Sequence, residues 1–201
     1  MSIFASHPVG LPGLIALGIG FFLFFAALLS ARARATRDPV DQGGKRAPRS
    51  IVWIIVQGVG IGVAGFGAIA VSGRDAWSAS AMVQGLVVLG LMAGAVALFD
   101  WSSRTMGRNW ALVARTRSDA SLVTNGPFAF VRNPIYIALF AFLIAMAIAY
   151  GHWGQLIIAI PLYWIGTWGR VQHEEAVLRA EFGAAYDAYA ARVKRFVPGI
   201  I

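Results

Sequence analysis

Residues 134–168 read PIYIALFAFLIAMAIAYGHWGQLIIAIPLYWIGTW, a stretch without Asp, Glu, Lys or Arg. It divides into two apolar blocks, 134–150 and 153–168, around the turn Gly-His-Trp-Gly at 151–154. Uncharged runs of this kind are typical of helices that cross a bilayer, and the glycines favour a tight connection between them. Each block is slightly shorter than the roughly 20 residues of a full span, which local thinning of the bilayer or a nearly upright helix with little tilt accommodates. The stretch therefore predicts a membrane-spanning helical hairpin.

Three further apolar blocks precede the hairpin, at residues 11–30, 51–71 and 81–99. Each is long enough to cross the hydrocarbon core at a rise of about 1.5 Å per residue. Of the 201 residues, 58% are hydrophobic and 13% charged. A soluble domain carries about a quarter charged residues. The sequence predicts an all-α polytopic integral membrane protein with five transmembrane helices.

The 17 Lys and Arg residues are distributed unevenly among the gaps that separate these blocks. Residues 31–50 hold six, residues 100–133 hold five and the C-terminal tail holds five, whereas the other gaps hold only Arg74. Positive residues favour the cytoplasmic side of a membrane. We therefore expect the N-terminus outside and the C-terminus in the cytoplasm.

Composition also bears on the class of function. The formal charge of +8 lies between the apolar blocks, where it suits anionic lipid head groups rather than nucleic acid. The absence of cysteine excludes disulfides, thiolate catalysis and cysteine-ligated metals. The three histidines, His7, His152 and His173, are dispersed, so no metal site is predicted. A cleaved signal peptide is an alternative for the first block, although no positive charge precedes it.

The second block contains a G-x-x-x-G pair, Gly58 and Gly62, which permits close approach of two helices. We expect this pair to serve packing within the chain, with a dimer seam as the alternative. The sequence makes no prediction of the oligomeric state.

The fourth block is preceded by Arg132-Asn133-Pro134. Asn is favoured as the N-cap of a helix and Pro at the first helical position, so the fourth span should begin here. A helix N-terminus beside an arginine could hold the carboxylate of an amino-acid-like ligand. The alternative is an ordinary capped helix whose arginine reaches lipid phosphate.

Two adjacent acids, Glu174 and Glu175, follow the fifth block. The hairpin returns the chain to the membrane side of Arg132, and neighbours on a helix diverge by about 100°. One acid could therefore face a ligand ammonium or ribose, because acids at a membrane edge are functional candidates. The alternative is an ion pair with Arg132 or Arg170.

Beyond the acids, an apolar stripe predicts an amphipathic helix on the cytoplasmic face. Its members recur at spacings of four, four and three: Leu178, Phe182, Tyr186 and Tyr189. We expect this helix to pack as a lid, with Lys194 and Arg195 at the lipid head groups. Asp100 and Arg104 have the spacing of a simple helical salt bridge.

These features resemble the isoprenylcysteine carboxyl methyltransferase and phospholipid methyltransferase superfamily, especially its small prokaryotic members. The resemblance covers about residues 104–198. It rests on Leu-Val-Thr-Asn-Gly-Pro-Phe at 122–128, Arg-Asn-Pro-Ile-Tyr at 132–136, and Glu174-Glu175 with the stripe that follows. It implies a cofactor-binding methyltransferase core at 104–201, preceded at 1–103 by three transmembrane helices and a basic cytoplasmic loop. It also implies a prokaryotic inner membrane.

The resemblance implies S-adenosyl-L-methionine as the cofactor, bound at the cytoplasmic membrane edge. The residues that it places at the methionine moiety are Arg132, Asn133 and Tyr136. Those that it places at the adenosine are Leu122, Val123, Asn125 and Gly126. Glu174 and Glu175 would contact the ammonium or ribose, and Trp110 would line the approach to the methyl group. The catalytic residues are expected to be Arg132, Tyr136 and Glu174.

The implied activity is methyl transfer by in-line displacement to a lipophilic substrate, such as a prenylated cysteine carboxylate or a phospholipid amine. Asn133 stands where the family has histidine, and an amide cannot act as a general base near neutral pH. One alternative is an NADPH-dependent membrane reductase of the sterol type. Another is a non-catalytic membrane transporter, although the spans hold almost no ionisable residue that would mark a transport path.

Overall fold

The computed structural model describes residues 3–36, 50–73, 75–107 and 121–200. Its helices are α1 (Leu11–Thr36), α2 (Ser50–Gly65), α3 (Ala79–Met106), α4 (Pro134–Tyr150), α5 (Leu156–Phe182) and α6 (Ala184–Arg192). Short 3-10 turns, Gly126–Ala129 and Trp153–Gln155, precede α4 and α5. Within these ranges, β-type pairing is limited to isolated bridges, Val9 to Val71 and Val131 to Lys194. The predicted all-α class is confirmed.

Two of the helices are long and apolar enough to cross a bilayer, Leu11–Ala35 and Ala79–Met106. Helices α2 and α4 are apolar but shorter, with 16 and 17 residues. Large apolar side chains on the outer faces are exposed, among them Phe22 at 72% and Leu86 at 65%. Such surfaces suit lipid rather than water. These observations support a membrane protein, while the count of five spans and their orientation stay predictions.

The helices pack as two pairs, α1 along α3 and α2 along α5, with α4 in contact with both pairs. Alanines allow the close approach of α4, because Ala138, Ala145 and Ala149 are fully buried between its neighbours. Aromatic rings fill the space nearer one end, where Phe24 lies 4.7 Å from Phe99 between ring centroids. The core is thus centred on α4.

The second helix is shorter than the predicted block 51–71, since its last helical residue is Gly65. Gly67 has a φ of 124°, which residues with a side chain rarely adopt, and the chain then runs extended to the Val9 bridge. Polar side chains from the hairpin turn meet the carbonyls that the helix end leaves free. His152 Nδ1 lies 3.2 Å from the Ala64 carbonyl oxygen, and Gln155 Nε2 donates to that of Phe66 at 2.8 Å.

The G-x-x-x-G pair does not pack within the chain as expected. A Cβ added at Gly58 or Gly62 would meet no atom within 4 Å among the described residues, apart from the backbone of α2 itself and the adjacent residues. The close contact of α2 with α5 instead runs through Gly60, where a Cβ would lie 2.6 Å from the Tyr163 backbone nitrogen. The G-x-x-x-G spacing thus identified two glycines on the exposed face of α2. The glycine that packs against α5 lies two residues from each of them.

The predicted hairpin is present, with Gly151 closing α4 at a φ of 71°. The prediction of a single, separate amphipathic helix after the fifth span is wrong, because α5 continues without interruption from Leu156 to Phe182. Gly183, with a φ of 51°, ends α5 and separates it from α6. The apolar stripe is therefore divided between two helices, and Tyr186 and Tyr189 are buried on α6.

Candidate functional site

The start of α4 lies beside a C-terminal segment, residues 193–196. Asn133 is the N-cap residue, as predicted, and Pro134 opens the helix. The side chain of Asn133 makes no capping hydrogen bond, however, and its Nδ2 donates to the Arg195 carbonyl at 3.3 Å. The backbone N–H groups of Arg132 and Asn133 donate to the carbonyls of Lys194 and Arg195 at 2.8 and 3.1 Å. The segment therefore fixes the two residues that precede α4 by hydrogen bonds to their backbone and, at Asn133, to the side chain.

Arg132 points into the protein and joins three parts of the chain. Its Nη1 donates to the carbonyls of Ala190 and Val193, both at 2.7 Å, and its Nη2 donates to Glu175 Oε1 at 2.8 Å. Its side chain is 11% exposed, and its buried Nε has no hydrogen-bond partner among the residues that the structure describes. The alternative of an arginine that reaches lipid phosphate is therefore wrong for Arg132.

Glu175 is held by two arginines. Arg195 donates through Nε to Glu175 Oε1 at 3.0 Å and through Nη2 to Oε2 at 2.7 Å, in addition to the bond from Arg132. Burial raises the pKa of Glu175, but the hydrogen bonds and charges of Arg195 and Arg132 outweigh it, so the pKa lies below its ordinary value. Arg195, expected at lipid head groups, instead lies over the Trp168 ring at 4.8 Å from its centroid.

Glu174 meets a different set of partners. Its Oε1 accepts hydrogen bonds from the Tyr136 hydroxyl at 2.6 Å and from Arg170 Nη2 at 3.3 Å. Arg170 also donates to Gln57 Oε1 at 3.1 Å and lies 5.0 Å from the Tyr136 ring centroid. The ion-pair alternative for the two acids is thus the arrangement that the structure shows. Glu174 Oε2 receives no hydrogen bond from any residue that the structure describes.

The periodicity of α5 explains why adjacent acids diverge. Residues three or four apart share a helix face, so α5 presents two stripes. One stripe packs towards the C-terminal segment and consists of Trp164, Trp168, Val171 and Glu175. The other faces α2 and the start of α4 and consists of Tyr163, Thr167, Arg170 and Glu174.

The four residues predicted to border adenosine lie on one loop, which precedes α4. They are Leu122, Val123, Asn125 and Gly126. Gly126 adopts a φ of 57° and approaches α3, since a Cβ there would lie 2.8 Å from Thr105 Oγ1. The Tyr189 hydroxyl donates to the Phe128 carbonyl at 2.7 Å, and burial raises the pKa of Tyr189 to about 12. The loop is thus attached to α3 and α6, whereas Trp110 lies outside the described residues.

A cavity of about 290 Å³ lies beside Arg132. Its lining combines basic, aromatic and apolar side chains: Arg132, Trp168, Ala190, Lys194, Arg195 and Ile200. The volume is just below the range of about 300–1,000 Å³ usual for small-molecule pockets. Neither Tyr136 nor Glu174 is among the described residues that line this cavity. The structure therefore brings the predicted residues of α4 and α5 together without enclosing all of them in one pocket.

Three polar residues of this region were not predicted as members of the site: Gln57, Arg170 and Arg195. The spacing of Arg170 and Glu174, four residues apart on a helix, indicates their pairing in the sequence. Gln57 is a lone amide in an apolar block, and polar residues within a span are candidates for function. Arg195 carries no local signal, because it follows Glu175 by 20 residues and reaches it only through the turn at Gly183.

Comparison with known proteins identifies the class. The family model of phospholipid methyltransferases matches residues 83–185, just over half of the chain. The fold and this match together define a membrane methyltransferase. The chain belongs to the phospholipid methyltransferase family. The predicted superfamily and the enzyme class are thereby confirmed.

A curated relative supports the same superfamily. The chain is 28% identical over 87 residues to protein-S-isoprenylcysteine O-methyltransferase of Schizosaccharomyces pombe. That match covers 43% of this chain and 37% of the yeast protein. The chain thus matches well under half of the relative's length.

Proposed function

We propose that this protein transfers a methyl group from S-adenosyl-L-methionine to a lipophilic acceptor at the cytoplasmic membrane edge. The observation that carries the proposal is the convergence of Arg132 and Tyr136 with the two acids of α5, through hydrogen bonds of 2.8 and 2.6 Å. Family membership supports the same activity. Acceptors in keeping with the family and its relative are a prenylated cysteine carboxylate and a phospholipid amine.

The side chains present suit the amino-acid part of this cofactor. Arg132 offers a guanidinium for a carboxylate, and its buried Nε is without a partner in the described part of the chain. Glu174 offers an oxygen, Oε2, for an ammonium or a hydroxyl group. The loop before α4 would border the adenosine through its four predicted residues: Leu122, Val123, Asn125 and Gly126. Trp110 would line the approach to the methyl group, Asn133 would complete the site, and Glu175 would take part through its bond to Arg132.

Positioning accounts for most of the proposed catalysis. When bound, S-adenosyl-L-methionine supplies a methyl group on a sulfonium, and the sulfur keeps the electron pair of the broken bond. The protein has to hold donor and acceptor in line, which a site fixed by buried hydrogen bonds does at little entropic cost. The Tyr136 ring offers an aromatic face for a cationic group. The Asn133 amide cannot accept a proton as a general base. A carboxylate acceptor would therefore react in its ionised form, and an amine acceptor would have to arrive neutral.

The proposed route for the acceptor is lateral. The outer faces of the long helices expose apolar side chains such as Phe22 and Leu86. The charged site lies at the N-terminal end of α4 and in the C-terminal half of α5. An apolar tail could therefore stay in the bilayer while the reactive head group reaches the site. In this proposal the five spans leave the N-terminus outside, and residues 104–201 form the catalytic core.

A ligand comparison tests the cofactor. We expect S-adenosylhomocysteine, and not NADPH, to raise the unfolding temperature of the purified protein in lipid nanodiscs. Stabilisation by NADPH alone would favour the sterol-type reductase, and stabilisation by neither would favour the transporter. Mass spectrometry of lipids after incubation with isotopically labelled methyl donor then identifies the acceptor.

A further inference from the structure

The two acids of α5 are unequal in exposure and in bonding. Glu175 has a side chain that is 7% exposed, and both of its oxygens accept hydrogen bonds from arginines. Glu174 has a side chain that is 25% exposed, and its two hydrogen bonds converge on Oε1. Glu174 therefore keeps an acceptor atom for a ligand, whereas both oxygens of Glu175 are used inside the protein.

The partners of Glu175 belong to the contact between the C-terminal segment and α4. Arg195 lies within the segment, and Arg132 precedes α4 and also donates to the Val193 carbonyl at 2.7 Å. Phe196 anchors the far end of the segment, with its ring 4.9 Å from that of Trp164 between centroids. Glu175 Oε1 accepts hydrogen bonds from both arginines, so Glu175 links Arg195 to Arg132.

We propose that the two acids have separate tasks. Glu174 is the ligand-facing acid, which binds the ammonium or a ribose hydroxyl of the methyl donor through Oε2. Glu175 is a structural counter-ion, and Arg195 is a positioning residue that acts through Glu175 to hold Arg132 in place for the donor carboxylate. The C-terminal segment is thus part of the binding site. This inference rests on the proposed function.

The first test compares two isosteric variants of the full chain in nanodiscs, Glu174→Gln and Glu175→Gln. The readouts are the Kd of S-adenosylhomocysteine by calorimetry, the unfolding temperature without ligand, and hydrogen exchange of the C-terminal segment. Glu174→Gln should raise the Kd by ~10- to 100-fold, the effect of a lost hydrogen bond to a charged group, and leave the exchange unchanged. Glu175→Gln should lower the unfolding temperature and speed up exchange in the segment.

The control is Asp187→Asn, which breaks an ion pair with Arg179 of 2.7 Å in which both side chains are more than half exposed. Exposed pairs contribute little, so this variant should change none of the three readouts. This control shows whether the loss of an unrelated carboxylate, here on α6, is enough to cause the changes expected in Glu174→Gln and Glu175→Gln.

The second test concerns Arg195. Arg195→Ala should raise the KM for the methyl donor by ~10-fold or more, because Glu175, which accepts from Arg132, loses the two hydrogen bonds from Arg195 that hold it in place. Arg195→Lys should recover only part of the loss, since a single ammonium cannot form the two-pronged contact. In the double variant Arg195→Ala with Glu175→Gln, the KM should be no higher than in the worse single variant, because both changes act on one contact.

The outcomes separate this inference from the proposed function. If the wild-type protein does not bind S-adenosylhomocysteine, the proposed function fails. If the wild type binds it but Glu174→Gln leaves the Kd unchanged, or Glu175→Gln leaves exchange of the C-terminal segment unchanged, the division of tasks is overturned. Equal KM values for the wild type and Arg195→Ala would overturn the role of Arg195 alone.

Discussion

Glu174 and Glu175 are adjacent in sequence, yet their carboxylates meet different arginines. A buried carboxylate is unstable unless its charge is compensated, and Glu175 is compensated twice, by Arg132 and Arg195. Its ionised form is therefore favoured in the folded protein relative to the unfolded chain. This difference has a consequence for stability that depends on pH.

We predict that the free energy of unfolding falls on acidification below the ordinary pKa of Glu175, near 4.5. The folded pKa is lowered, so the stabilisation is complete above the unfolded pKa and is lost as the pH falls through the folded pKa. Glu175→Gln should reduce the slope of stability against pH in this range, measured by thermal unfolding. Asp187→Asn should retain the wild-type slope, and an unchanged slope in Glu175→Gln would contradict the prediction.

At the scale of helices, the close contact between α2 and α5 depends on the glycines on only one face of α2. Gly60 faces the α5 backbone, whereas Gly58 faces open space. We predict that Gly60→Ala lowers the free energy of unfolding by about 1–3 kcal/mol, because the helices must separate. Gly58→Ala should be neutral or stabilising by up to about 1 kcal/mol, since alanine is the better helix former. Equal losses in the two variants, measured by unfolding in detergent, would contradict this assignment.

The end of α2 provides a second prediction at this scale. The two ring nitrogens of His152 lie 3.2 Å from the carbonyl oxygens of Ala64 and Ala68, and the side chain is fully buried. His152→Leu would leave at least one carbonyl without its donor, at a cost of about 1–3 kcal/mol in unfolding free energy. The Kd of S-adenosylhomocysteine should not change, because His152 and Arg132 lie beyond opposite ends of α4. A large rise in that Kd would show that the two ends are coupled.

For the whole molecule, the two ends of α4 differ in character. At one end, the N-terminal residues cover the hairpin turn, where the His7 N–H donates to the Gly151 carbonyl at 3.0 Å. At the other end lie the arginines and acids of the site. This polarity agrees with the uneven distribution of Lys and Arg that predicts a cytoplasmic C-terminus.

Because the chain lacks cysteine, single cysteines can test this topology. Trp153→Cys lies in the hairpin turn and Asp187→Cys on α6, at positions where the side chains are exposed. An impermeant maleimide should label Trp153→Cys in intact cells and Asp187→Cys only after permeabilisation. Labelling of both variants in intact cells would show that the hairpin does not cross the membrane, and the reverse pattern would invert the orientation.

Local properties of the sequence account for much of the architecture. Long uncharged runs predict the helices, Asn133-Pro134 predicts the start of α4, and Gly151 lies at the predicted turn. Such features depend on residues within a few positions of one another, because helix formation and capping are local. The family motifs at 122–136 and 174–189 are likewise short runs of residues, so they can be read in the sequence without knowledge of the contacts between them.

The tertiary structure alone decided which charges meet and which glycines pack. Arg195 reaches Glu175 because Gly183 turns the chain back, and beyond the end of α2 at Gly65 the chain pairs with Val9 through Val71. Gly60 rather than Gly58 faces α5 because the rotation of α2 depends on its partner helix. These outcomes depend on contacts between distant residues, whose free energies are set by geometry in three dimensions rather than by spacing along the chain.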